Sequence, residues 1–207
     1  MPPPLLGAIP SGVERIDAGV AEQERIPPQR VWRVVPVAKS PRAPRWVVGS
    51  IVHEALAAWR FPDGDAEVFG PWAAARARSY GITDACELED AVTQSRRLLA
   101  GFRRHPLYRE MDGAERRLHE VPYSLIREGE VESGIIDALY RADGGWTIVE
   151  FKTDRVQDQA GAERLLAEID YAAKVARYVT AVEQLLGERP GCVLCWLNWA
   201  GGVRVSR

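Results

Sequence analysis

Two carboxylates and a lysine near the middle of the chain have the types and spacing for chemistry on a phosphodiester. Asp137 sits inside the apolar run Gly134-Ile135-Ile136-Asp137-Ala138-Leu139-Tyr140, and Glu150 and Lys152 close the run Trp146-Thr147-Ile148-Val149-Glu150-Phe151-Lys152. Both runs read as strands, with the turn Asp143-Gly144-Gly145 between them. A hairpin closed by that turn brings both carboxylates to one end of a sheet. Side chains alternate along a strand, so Glu150 and Lys152 share a face while Phe151 points the other way, into a core. Two carboxylates at close range repel each other unless a cation sits between them. Hard oxygen donors suit Mg²⁺ or Mn²⁺. A lysine beside such a metal can orient or deprotonate a water, or neutralise charge on the phosphoryl oxygens in the transition state. Glu-x-Lys alone is common on exposed strands. An acid within an apolar run is not, because a buried charge is costly without a partner.

His53 is a further candidate. It lies in Gly49-Ser50-Ile51-Val52-His53-Glu54-Ala55-Leu56, one helical turn after Gly49 and on the same face. A position without a side chain there lets another backbone or a substrate come close. A packed structural histidine is the competing reading. Arg96-Arg97, Arg103-Arg104 and Arg116-Arg117 can follow a DNA backbone, or simply form a solvated helix face. Cys192 and Cys195 have metal-ligand spacing, but strand geometry points them to opposite faces, and Cys86 is the only other cysteine. No iron–sulfur or zinc site is expected.

The elements that must position these groups follow from pattern. Val52, Leu56 and Trp59 mark a helix over about 46–59, and Pro71 suits the first turn of another. Asp84 with Glu87 caps a helix that carries Leu88, Val92, Leu98 or Leu99, and Phe102, and Pro106 stops it. Strands are expected at 118–126, 134–140 and 146–152. A helical stretch over 163–186, broken near Asp170, precedes a strand at 192–199 and a short last one at 203–206. The order is that of an α/β chain with a small mixed sheet. Residues 1–44 are proline-rich and weakly patterned, and read as a linker or wrapping arm pinned by Trp32 and Val34. Residues 45–207 read as one domain.

Composition narrows the class. The 207 residues carry a net charge of −2, so binding to a polyanion needs local basic patches and a metal to offset the acidic site. No apolar run approaches the ~18 residues of a membrane span. The start lacks a signal-peptide pattern, and the three cysteines make no disulfide framework. A reducing cytoplasm is the simplest compartment.

Together, Gly49-x-x-x-His53, Glu120-x-Pro122-Tyr123, Gly134-Ile135-Ile136-Asp137, Glu150-Phe151-Lys152-Thr153-Asp154 and Tyr171…Tyr178 resemble the nuclease module of the PD-(D/E)XK superfamily. The similarity is greatest to its RecB/AddA branch, found at the C-terminus of UvrD-like helicase-nucleases. The resemblance covers about 46–207 and implies a restriction-endonuclease-like core in αβββαβ order. It implies that His53, Asp137, Glu150 and the Phe151 carbonyl ligate Mg²⁺ or Mn²⁺, and that Lys152 assists the attacking water. Glu120 matches an acidic family position, as a residue that tunes the site or as a plain surface charge. The family usually has Gln between its two helical tyrosines, where this chain has Lys174, which implies a changed contact to a DNA phosphate. Tyr171 and Tyr178 either border the site or pack their helix on the sheet.

The activity implied is metal-dependent DNA cleavage on single strands or unwound duplex ends, with a helicase domain in the same or a partner chain. The phosphate-cradling Gly-x-x-x-x-Gly-Lys-Ser/Thr of such a helicase is absent. The chain therefore reads as a stand-alone nuclease or as a module of a larger helicase-nuclease, and the proline-rich start favours the module. The rival readings are a non-catalytic DNA-binding or docking module on the same fold, and a different metal-dependent phosphoesterase.

Overall fold

Helix α1 (Arg45–Ala57) starts directly after Pro44, whose carbonyl accepts the Val47 and Val48 N–H groups. The computed structural model describes residues 41–62, 66–127 and 129–207. Nearly all of the expected proline-rich arm, Trp32 and Val34 included, lies outside the described residues. Helix α2 (Ala66–Ser79) begins five residues before Pro71, which sits inside it rather than in its first turn. The reason is the spacing of Phe69, Ala73 and Ala77, all buried on one face. Their burial offsets the hydrogen bond that proline cannot donate. Helix α3 (Ala85–Arg104) is capped by Asp84, which accepts from the Cys86 and Glu87 N–H groups. Pro106 stops α3 as expected and also opens α4 (Pro106–Asp112), which buries Leu107 and Met111.

The sheet is mixed and runs in the order β1-β2-β3-β4-β5. Its strands are β1 (Arg116–Arg127), β2 (Glu130–Ala142), β3 (Gly145–Lys152), β4 (Gly191–Trp199) and β5 (Gly202–Ser206). Only the β3–β4 pair is parallel, which is why a crossover of α5 (Gln159–Glu168) and α6 (Tyr171–Leu186) joins them. The break between those helices falls where expected, at Asp170, whose φ is 46°. One face of the sheet packs Ala138, Tyr140, Val149 and Phe151 against the α1–α4 layer. The other packs Ile136, Leu139 and Ile148 against Tyr178, Ala181 and Val182 of α6. This is the expected αβββαβ core with α2 to α4 and β5 added.

The hairpin does not alternate regularly. Arg117 and His119 lie against Trp59 on the α1–α4 side, whereas Val121, Tyr123 and Leu125 join the α6 side. All five are odd-numbered, so an unbroken strand would place them on one face. The same reversal separates Ala138 from Ile136 on β2. It falls where the ladder pairs His119 with Ala138 and Val121 with Ile136 and skips Glu120 and Asp137. Glu120 has φ 48°; the other non-glycine residues with positive φ, Trp59, Asp143, Asp170 and Ala200, all lie in turns. A left-handed residue in mid-strand costs roughly 1–3 kcal/mol and tends to persist where function uses it.

Beyond the reversal, Tyr123 crosses Gly134 so closely that a Cβ there would lie 2.6 Å from the tyrosine oxygen. The Tyr123 ring in turn packs edge-on to Tyr178, with centroids 5.5 Å apart. Gly134→Ala should therefore displace the ring and destabilise the fold by about 1–3 kcal/mol. Thermal melting checks this; an unchanged transition would show that the ring gives way freely.

Candidate metal-dependent active site

Asp137 lies where the β2–β3 ladder opens. Pairing ends at Ala138 with Val149, and the Phe151 N–H donates to Asp137 Oδ2 at 2.8 Å. Its Oδ1 lies 3.7 Å from His53 Nδ1, which α1 holds over the strand. Burial, and then the neighbouring Glu150 charge, push the Asp137 carboxyl up to about 6. Glu120 reaches the same point through its left-handed backbone. One ligand atom from each of His53, Glu120 and Asp137 lies within 4.8 Å of the others.

Glu150 is 2% exposed. Its Oε1 accepts from Lys152 Nζ at 2.8 Å and from Lys174 Nζ at 2.5 Å. Burial is the largest influence on its carboxyl and opposes ionisation, but the two ammonium groups together outweigh it and hold the carboxyl below its ordinary range. Burial likewise works against a charged Lys174, and the Glu150 carboxylate more than reverses that. The other oxygen, Oε2, is buried with no hydrogen-bond partner. An orphaned carboxylate oxygen beside an acid whose ionisation is opposed is a site short of positive charge. The compact donor group, the His53 imidazole with the Glu120 and Asp137 carboxylates, together with the Glu150 carboxylate near Asp137, therefore fits a divalent cation.

The structure thus brings His53, Asp137, Glu150 and Lys152 together, with Phe151 contributing its backbone and its ring buried in the core. Glu120 is exposed on the edge strand β1, and one of its carboxylate oxygens comes within 4.8 Å of ligand atoms of His53 and Asp137. Lys174 faces Glu150 rather than the outside, a pairing across 24 positions that no local pattern signals. Tyr178 is buried, donates to the Ile135 carbonyl at 2.8 Å and packs α6 on the sheet. Tyr171 packs against the cluster around Trp196.

The α3 arginines stand elsewhere. Arg97 donates to Asn198 Oδ1 at 3.1 Å, Arg96 lies over Phe69, and Arg103 lies over Phe61 and Tyr108. Arg104 is exposed in the last turn of α3. Cys195 is buried with the α1–α4 layer, whereas Cys192 packs on the α6 side, and Cys86 is exposed at the start of α3. None of the described helices is long and apolar enough to cross a membrane.

Carboxylates, an imidazole and a lysine on this opened hairpin suit chemistry at a divalent cation, and the class of protein that the sequence matches is a nuclease. The sequence profile of the PD-(D/E)XK nuclease superfamily matches residues 23–198, and the chain belongs to that superfamily. It is 32% identical over 100 residues to an ATP-dependent helicase/nuclease subunit of Heliobacterium modesticaldum, a match covering 41% of this chain and 7% of that protein. The ATP-dependent helicase/nuclease subunit of the same type in Anoxybacillus flavithermus is 30% identical over 91 residues, covering 42% of this chain and 7% of its own length. The match thus spans a small fraction of these curated relatives. Among solved structures, a candidate exonuclease of Eubacterium rectale shares the fold with a TM-score of 0.52 at 15% identity, covering 81% of this chain and 60% of the other.

Proposed function

We propose that this chain cleaves DNA with Mg²⁺ or Mn²⁺ and serves as the nuclease module of a helicase-nuclease that processes DNA ends in recombinational repair. The helicase/nuclease subunits that it resembles support that setting. The observation that carries the reading is the unpartnered Glu150 Oε2 near Asp137, whose carboxyl the Glu150 charge raises and whose oxygen lies within 4.8 Å of ligand atoms of His53 and Glu120. A docking module without catalysis has no use for a buried carboxylate left in that state.

In this reading His53, Glu120, Asp137, Glu150 and the Phe151 carbonyl hold the cation, which when bound supplies Lewis-acid stabilisation to the phosphoryl oxygens. Lys152 orients a water for in-line attack on phosphorus. The new P–O bond forms as the bond to the 3′ oxygen breaks. The attacking water gives up one proton to solvent and that oxygen takes one up, leaving a 5′-phosphate and a 3′-hydroxyl. Lys174 lies beside the same carboxylate and adds positive charge near the oxygens that become more negative.

The test titrates Mn²⁺ against the cleavage rate of labelled DNA blocked at one end, for the wild type and His53→Ala. An imidazole among oxygen donors favours Mn²⁺ over Mg²⁺. His53→Ala is expected to raise the Mn²⁺ midpoint by about 10–100-fold, with part of the activity returning at high Mn²⁺. A lower melting temperature with an unchanged midpoint would make His53 a packing residue and remove it from the site.

A further inference from the structure

A groove of about 600 Å³ opens where α1 meets the end of β3. Gly49 and Thr153 lie where the two elements meet, and a Cβ on Gly49 would stand 3.0 Å from Thr153 Oγ1. Gly49 is one turn before His53 and Thr153 directly follows Lys152, so the groove starts about 6 Å along α1 from His53 and about 10 Å along the chain from Glu150. Arg42, Arg45 and Arg155 line it, with Asp154 as the one carboxylate. The three arginines are exposed, and none makes an ion pair or hydrogen bond with another described residue. Trp46, also in the lining, is 59% exposed. Its ring is braced edge-on by Tyr80, with centroids 5.6 Å apart, and Tyr80 is in turn hydrogen-bonded to Glu54.

We infer that this groove is the track for a single DNA strand entering the active site, with Arg42, Arg45 and Arg155 on successive phosphates and Trp46 under a base. The inference rests on the nuclease reading and adds to it the groove and the residues that would hold the strand. Unpaired guanidinium groups around a concave wall match the spaced charges of a phosphate backbone. The tryptophan selects the strand type. A base can lie on an exposed indole only if it is free of its own stack, which a single strand permits and a duplex does not. Among the α3 arginines, Arg96, Arg97 and Arg103 are tied to Phe69, to Asn198, and to Phe61 and Tyr108, and Arg104 is exposed but does not line the groove.

The experiment measures binding of a fluorescein-labelled oligo-dT strand and of a hairpin duplex by anisotropy, in EDTA and at several salt concentrations. The wild type should prefer the single strand. Arg42→Gln/Arg45→Gln/Arg155→Gln should lower the slope of log affinity against log salt by about 2. Trp46→Ala should weaken single-strand binding by about 5- to 150-fold and leave the salt slope unchanged. Wild-type affinity and slope in folded variants, or a preference for duplex, would overturn the track. Because binding is read without a divalent cation, it stands apart from cleavage. A chain that held single strands through these residues but cut none would defeat the nuclease reading and leave the groove in place. One that cut DNA while the variants bound as wild type would do the reverse.

Discussion

Glu150→Gln and Lys152→Ala should each lower the DNA cleavage rate by at least about 10²–10³-fold while the protein stays folded. Removing one preorganised charge or donor from a transition state typically costs that much, and Glu150 is placed to act twice, on the cation and on Lys152. Its replacement also leaves Lys152 and Lys174 beside a neutral amide. Both lysines keep some solvent contact, with side chains 17% and 29% exposed, so the stability loss should be about 1–3 kcal/mol and short of unfolding. Circular dichroism and melting control for that. The two substitutions should not add, since the residues act as a unit. A folded double variant that cuts at the wild-type rate would remove both from the mechanism.

Asp137→Asn should abolish cleavage and metal binding and yet raise the melting temperature of the metal-free protein at pH 7.5. Burial and the Glu150 charge raise the Asp137 carboxyl to about 6, against 3.8 ordinarily. A carboxyl whose folded value is raised favours folding fully below its unfolded value, and that contribution is lost as pH rises through the folded value. Ionised Asp137 therefore destabilises the metal-free fold above about pH 6, by on the order of 2–3 kcal/mol. The asparagine removes that charge, and its oxygen can still accept the Phe151 N–H. A gain of several degrees is expected at pH 7.5, vanishing near pH 4. In the wild type, Mn²⁺ should supply comparable stabilisation above pH 6 and little below it, where protons compete for the same oxygen. Equal melting temperatures of the two metal-free proteins at pH 7.5 would mean that Asp137 is not held under electrostatic strain.

Much of this site is legible in the chain itself. Alternating apolar residues and the Asp143-Gly144-Gly145 turn mark the β2–β3 hairpin, and the period of two puts Glu150 and Lys152 on one face with Phe151 opposite. The features that the chain does not announce are non-local or lack a residue signature. Nothing in Glu120 signals a left-handed backbone in mid-strand, a conformation that glycine or asparagine usually marks. Yet both strands reverse at that residue, and its own carboxylate comes within 4.8 Å of ligand atoms of His53 and Asp137. Lys174 reads as one more polar position on an amphipathic helix; only the packing of α6 on the sheet aims it at Glu150. The groove arginines sit at the edge of the proline-rich segment and just past β3, where no periodicity points. The doublets on α3 are more conspicuous as a basic patch, but the structure sets Arg96, Arg97 and Arg103 in packing contacts. Pro71 misleads for a related reason: proline marks a local backbone constraint, and tertiary burial of Phe69, Ala73 and Ala77 decides where that helix runs.

His53, Glu120, Asp137 and Glu150 are proposed to form a single cation site at which DNA is cut, and everything else about the mechanism depends on it. The direct measurement follows single- and double-stranded DNA labelled at one end, incubated with the wild-type chain in Mg²⁺, Mn²⁺ or EDTA, with product ends identified by mass. Cleavage is expected with either metal and none in EDTA, with single strands cut in preference to blocked duplex, and products ending in 5′-phosphate and 3′-hydroxyl. Intact DNA in the presence of folded protein with Mn²⁺ bound at these four residues would contradict it.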